Sequence, residues 1–143
     1  MYEHSDVKTG LRNWAEGSYA DRAAVELLIE HDRWLTRADL LRCIDLIPET
    51  ELFDPDRPVA IPDWKRIAAG LADNEFPASS SEVAILRIAL SLADDVPVCL
   101  RTALVGLDST NAAAVVDSVI TTTGAGLDVL ATRSQAARRR VID

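Results

Sequence analysis

Apolar residues recur along this chain at helical spacing, and one segment is apolar around most of its circumference. Ser79 to Asp95 reads SSSEVAILRIALSLADD, in which only Glu82, Arg87 and Ser91 interrupt the run of Val, Ala, Ile and Leu. A helix of that kind is stable in water only when other elements cover it. The pattern therefore predicts a buried central helix over about 80–94, with the remainder of the chain as its wrapping. Ser79 or Ser80 supplies the N-cap, and Asp94-Asp95 ahead of Pro97 marks the end.

The flanking segments divide by caps and periodicity. The first ten residues read as loose, with Trp14 in a short turn or helix after Gly10. Ser18-Tyr-Ala-Asp21 has the form of a capping box with Asp in place of Glu, and Ala24, Leu27, Leu28 and His31 follow on one face, which predicts a helix over 19–31. Thr36-Arg-Ala-Asp39 repeats the start signal. Leu40, Ile44 and Ile47 then predict a helix over 37–47 that Pro48 closes. From Pro48 to Pro62 the composition turns to prolines and Asp-Pro-Asp, the chemistry of one long loop. Val59 to Ile61 has extended character but no clear partner strand, so no sheet is expected. Trp64, Ile67, Ala68 and Leu71 define a helix after Pro62, closed by Asn74 and Pro77.

Beyond the central segment, Pro97 suits the first turn of a helix whose Leu100, Ala103 and Leu104 stripe ends at Gly106. Asp108 or Ser109 caps a sixth helix. Its expected buried stripe is Ala112, Val115, Val116, Val119 and Ile120, with Asn111, Asp117, Ser118 and Thr121 opposite and Gly124 as its stop. Leu127 to about Arg139 forms a weaker helix. The fold expected is all-α: a single-domain orthogonal bundle of about six to seven helices around the buried helix at about 80–94. Residues 1–126 make the domain, 77–124 its three-helix core module, and 127–143 a basic C-terminal helix or tail.

Composition agrees with one domain. A chain of 143 residues with 48% hydrophobic content buries roughly two-thirds of the surface its unfolded form exposes. Cys43 and Cys99 sit among apolar neighbours and read as buried, reduced thiols. The opening MYEHSDVKTG is too polar for a secretory segment, and no apolar run approaches the roughly 20 residues of a membrane span, so a cytoplasmic protein is expected. Net charge is −8, with 19 Asp and Glu against 10 Lys and Arg in residues 1–96 and 4 against 5 in 97–143. An acidic body discourages attraction to nucleic acid or anionic lipid. Only two of the 15 basic residues are Lys, and Ala is abundant, a bias of GC-rich bacterial genomes.

Candidate chemistry is sparse. The helices joined by Val105-Gly106-Leu107-Asp108 outline a helix-turn-helix, but the second, STNAAAVVDSVITTT, has no Arg or Lys to meet phosphate and places Asp108 and Asp117 there instead. Asn111 is its one residue suited to adenine. Ser5-Asp-Val-Lys8 and Lys8-Thr-Gly10 match penicillin-recognising motifs only by overlapping in six terminal residues. His4, His31, Cys43 and Cys99 lack metal-ligand spacing, and His31 is placed to end its helix favourably. Counted from Asp54, the EF-hand positions six and twelve hold Val59 and Lys65 rather than Gly and Glu. Gly124-Ala-Gly126 lacks the third glycine and the strand of a nucleotide-binding turn. No catalytic residue, cofactor or metal is expected.

Two kinds of residue are candidates for binding. Trp14 and Phe53 are large apolar groups in weakly periodic or loop segments, a type enriched at interfaces, although each also suits a role pinning its segment to the core. Arg133, Arg138, Arg139 and Arg140 form a basic end able to dock on an acidic body or to remain a solvated tail.

The stretch PASSSEVAILRIALSLADDVPVCLRTALVGLDSTNAAAVVDSVITTTG, residues 77–124, together with AVELLIEHDRWL, residues 24–35, resembles a pattern in short uncharacterised helical proteins of actinobacteria. That resemblance implies a source and module boundaries and carries no activity. The function expected is a non-enzymatic helical interaction or adaptor protein, engaging another protein or a second copy of itself. The alternatives are a nucleic-acid-binding regulator using the 98–122 hairpin or the basic C-terminus, and a small enzyme using carboxylates of the 48–62 loop.

Overall fold

Helix caps in this chain are local and strong, and they set the positions of its longer helices. In the computed structural model, which describes residues 4–47 and 57–126 with Asp128, Val129, Thr132 and Arg139, Ser18 Oγ accepts the Asp21 N–H at 3.2 Å and opens α2, Tyr19–His31. Ser79 Oγ accepts the Glu82 N–H at 3.2 Å while its hydroxyl donates to the Glu82 carboxylate at 2.8 Å, a reciprocal cap on α5, Ser80–Asp94. Asp63 caps α4, Trp64–Ala72, and Asp108 caps α7, Ser109–Thr122. Each such bond satisfies a helix N–H that has no partner inside the helix. At the other ends Asp32 and Asp95 adopt φ of 62° and 53°, the left-handed turn that stops α2 and α5.

The buried positions of α5 are Ala84, Ile85, Leu86, Ile88, Ala89 and Leu90, and Arg87 is exposed. Helix α2 is enclosed to the same degree, through Ala23, Ala24, Val25, Leu27, Leu28 and Ile29, because it lies between α5 and α7. Each Leu or Ile so buried contributes about 1.5–3 kcal/mol, and together they make a two-helix centre. Trp34, in a short 3-10 turn at Trp34–Thr36, is fully buried; its indole N–H donates to the Glu82 carbonyl at 2.8 Å and its ring meets Phe76 edge-on. The Arg37 guanidinium lies 4.7 Å from the Trp34 ring centroid and donates to the Pro77 carbonyl at 2.7 Å.

Three expectations need correction. The N-terminal residues are not loose: His4–Trp14 is helix α1, which buries Val7, Gly10 and Leu11. The helix expected over 37–47 is shorter and gives way to strand. Ala38–Leu41 is α3, and Ile44–Ile47 is β1, paired antiparallel with β2 at Val59–Pro62 in the register Ile44 with Pro62 and Ile47 with Val59. The fold is thus mainly helical with one two-stranded sheet, not all-α. Tertiary context decides the strand, because α1 packs across β2 and gives the inward residues Ala60 and Pro62 a surface to bury. Third, α6 is only Leu100–Leu104, so Pro97 lies in the connection before it, and Cys99 at its N-cap is exposed rather than buried. Gly106 and Gly124 take φ of 92° and 74° at the turns expected of them. The segment 48–56 and most of 127–143 lie outside the described residues. No described helix is long and apolar enough to cross a membrane.

Candidate interaction surface

Helix α7 is apolar on two sides, and only one of them is covered. Its inner face buries Ala114, Val115 and Ser118 against the body, where the Ser118 hydroxyl donates to the Ala114 carbonyl at 2.9 Å. Asn111 Oδ1 lies 3.1 Å from His31 Nδ1 at the end of α2, so that amide is held by the fold. The stripe expected to be buried straddles two faces. Val115 is inside, whereas Val116 and Val119 are 50% and 52% exposed, and Ser118, expected outside, is buried. Ala112, Val116 and Val119 are spaced four and three residues apart and share the outer side.

The exposure continues through α6 and its turn. Leu100, Leu104 and Val105 are 59%, 43% and 75% exposed, with only Ala103 of the expected stripe buried. Tyr19, itself exposed, lies against Gly124 at the far end of α7. Five of the exposed large hydrophobics thus fall between Leu100 and Val119, on α6, its turn and α7, while Ile61 lies apart on β2. The charge of α7 is also distinctive: Asp117 is the only charged residue in α7, on a chain of net charge −8. Scattered apolar residues on a surface are ordinary, whereas a large contiguous apolar patch is the kind of surface on which proteins bind other molecules.

The other sequence candidates fall elsewhere. Trp14 is half-buried at the end of α1, its ring 6.2 Å from that of Trp64 and tilted at 57°, so it ties α1 to α4. Arg139 is exposed. Phe53, Arg133, Arg138 and Arg140 lie outside the described residues.

Among the described residues the shifted titratable groups lie in separate places. A hydrogen bond from Lys8, assisted by His4, holds the Asp32 carboxyl below its ordinary range, and Arg37 does the same for Asp39. The Thr102 hydroxyl donates to Cys99 Sγ at 3.4 Å and lowers that thiol, whereas burial raises Cys43. An open groove of about 670 Å³ between the sheet end and α4 mixes Arg42 and Lys65 with Asp45 and Asp94. Of the other charged groups there, Asp63 caps α4 and Arg66 donates to the Arg42 carbonyl. Among the described residues no three His, Cys, Asp or Glu side chains gather as a metal site. No protein-family model, curated protein or solved structure matches this chain.

The outer face of α7 was visible in the sequence as an apolar stripe wider than one buried face needs, on a helix with a single charge. Helical periodicity alone assigns that stripe to the core, because it does not distinguish an inward apolar position from an outward one.

Proposed function

We propose that this is a non-enzymatic interaction protein that docks another protein chain on the exposed apolar face of α6 and α7. The observation carrying this reading is the pair Val116 and Val119, half-exposed on a helix whose inner face is already satisfied by Ala114 and Val115. Covering such a face removes apolar area from water at about 25 cal/mol per Å², and the single charge of α7 limits the desolvation cost that a charged patch incurs. Interface centres are depleted of charge for that reason. Nucleic acid is a poorer fit, since α7 carries Asp117 and no Arg or Lys, and α6 supplies only Arg101 to meet phosphate.

Site-specific photo-crosslinking in the native host tests the reading. A crosslinking residue at position 116 or 104 is expected to capture a protein, a second copy or a different chain, and the same residue at exposed Glu30 on α2 is expected to capture none. Absence of protein adducts from both 116 and 104 overturns it.

A further inference from the structure

Among the described residues the two-stranded sheet is open on one side only, and from this we infer that the free edge of β1 accepts an extended segment of a partner protein as a third strand, its apolar residues alternating with lysine or arginine. The surface is separate from the face of α6 and α7. The hydrogen-bond register identifies the open groups. The Asp63 N–H donates to the Cys43 carbonyl at 2.8 Å, which makes 43 and 63 a hydrogen-bonded pair. Alternation along an antiparallel ladder then makes Asp45 with Ile61, and Ile47 with Val59, the bonded pairs. Ile44 and Leu46, opposite Pro62 and Ala60, direct their N–H and C=O groups away from β2. Pro62 fits that arrangement, because its position in the ladder needs no N–H.

The far edge of β2 is protected, and among the described residues that of β1 is not. Pro62 has no donor to offer, and α1 closes over Ala60 so tightly that a Cβ on Gly10 would stand 2.8 Å from the Ala60 nitrogen. Among the described residues no main-chain group pairs with the outward N–H and C=O of Ile44 and Leu46. Exposed edges are usually blunted by proline, charge or a covering element, and this sheet applies two of these devices to one edge.

The side-chain surroundings define the occupant. Val7, Leu41, Ile44 and Leu46 line a groove of about 330 Å³, all four of them apolar. Ile44 and Leu46 share the inner face of the sheet by alternation, so alternate side chains of an added strand point toward this groove. On the outer face Asp45 is exposed; Arg42, Lys65 and Arg66 line with it the groove beside α4, but Asp45 forms no ion pair among the described residues. A basic side chain on the added strand, beside Asp45, completes a cross-strand pair of opposite charge. Main-chain bonding, an apolar groove on one face and a carboxylate on the other together specify strand addition.

The test uses the full chain, NMR-detected amide exchange and two synthetic peptides, acetyl-Lys-Val-Lys-Val-Lys-Val-Lys-amide and its Glu-for-Lys counterpart. The Lys peptide is expected to slow exchange at Ile44 and Leu46 by about tenfold or more while leaving the Asp45 and Ile47 amides, already bonded within the ladder, nearly unchanged. Asp45→Lys, at an exposed site that keeps the ladder, is expected to transfer the preference to the Glu peptide. The proposal is overturned if the Ile44 and Leu46 amides are already protected in the free chain. It is equally overturned if the Lys peptide leaves their exchange unchanged, or if Asp45→Lys leaves the preference as it was.

Discussion

Gly10 of α1 and Ala60 of β2 approach so closely that a Cβ at position 10 would lie 2.8 Å from the Ala60 nitrogen and 2.9 Å from its Cβ. Glycine in a helix ordinarily costs about 1 kcal/mol relative to alanine, and here that cost permits α1 to sit directly on the sheet. Backbone is on the receiving side of the clash, so no flexible side chain can move away to relieve it. Gly10→Ala is therefore expected to destabilise the protein by about 1–3 kcal/mol, the usual range for overpacking, despite its better helix propensity. Urea unfolding reads this as a lower midpoint at unchanged slope; a raised midpoint would show that α1 and the sheet are not in this contact.

Asp32 joins the end of α2 to the start of α1, accepting from His4 Nε2 at 2.8 Å and pairing with Lys8 Nζ at 3.0 Å. The Lys8 hydrogen bond is the main cause of its lowered pKa, opposed by partial burial and supported by His4. A carboxyl depressed in the folded state adds stability above its unfolded pKa and loses it as pH falls through the folded value. Melting temperature is expected to fall between pH 5 and acid, with Asp32→Asn showing a smaller fall and converging on the wild type at the acid end. Asn tolerates the left-handed φ at this position, so the variant isolates the charge. Parallel melting curves for the two proteins across that range would count against the bridge.

Trp34 fills the centre through three contacts: the Glu82 carbonyl, the edge of Phe76 and the Arg37 guanidinium. Trp34→Phe keeps an aromatic ring but removes the indole N–H and some volume, and a loss of about 1–3 kcal/mol is expected from the missing hydrogen bond and the space left. Trp34→Ala is expected to cost about 3–5 kcal/mol. Chemical denaturation of both variants checks the order, and equal stabilities would mean that the indole N–H and ring do not act separately.

The two thiols are set apart by their surroundings. Cys99 is exposed and its thiolate is favoured by Thr102, whereas Cys43 is buried and its thiol is raised by desolvation. The thiolate is the reacting form, so the first equivalent of iodoacetamide near neutral pH is expected on Cys99, with Cys43 modified only after unfolding. Thr102→Val is expected to slow Cys99 by removing the hydroxyl donor. Peptide mapping by mass spectrometry decides between this order and its reverse.

What could be read from the sequence was local. Ser18 caps its helix as expected, and Ser79 and Asp108 are each one of the two residues expected, because each cap is a bond between positions three apart. Ile44 and Ile47 are also three apart, and that spacing gave them a helical reading. Their strand depends on Val59 to Pro62 and on α1, contacts that no local window contains. The candidate surface was hidden for a related reason. Periodicity locates an apolar stripe on α7 but does not say which of two adjacent valines the body covers.

Those adjacent valines also give the sharpest test of the assignment. Val115 is 6% exposed and Val116 is 50% exposed, although both were expected to be buried. Val116→Asp places a charge in solvent on a helix where Asp and Val have similar propensity, so its effect on the folding of the isolated protein is expected to stay within about 0.5 kcal/mol. Val115→Asp buries an unpaired carboxylate between α7 and α2 and is expected to cost several kcal/mol or abolish folding, in line with the penalty for a buried charge. Thermal melting of the two variants separates the faces directly. If Val116→Asp proves as damaging as Val115→Asp, the outer side of α7 is part of the core, and the docking surface proposed for it does not exist.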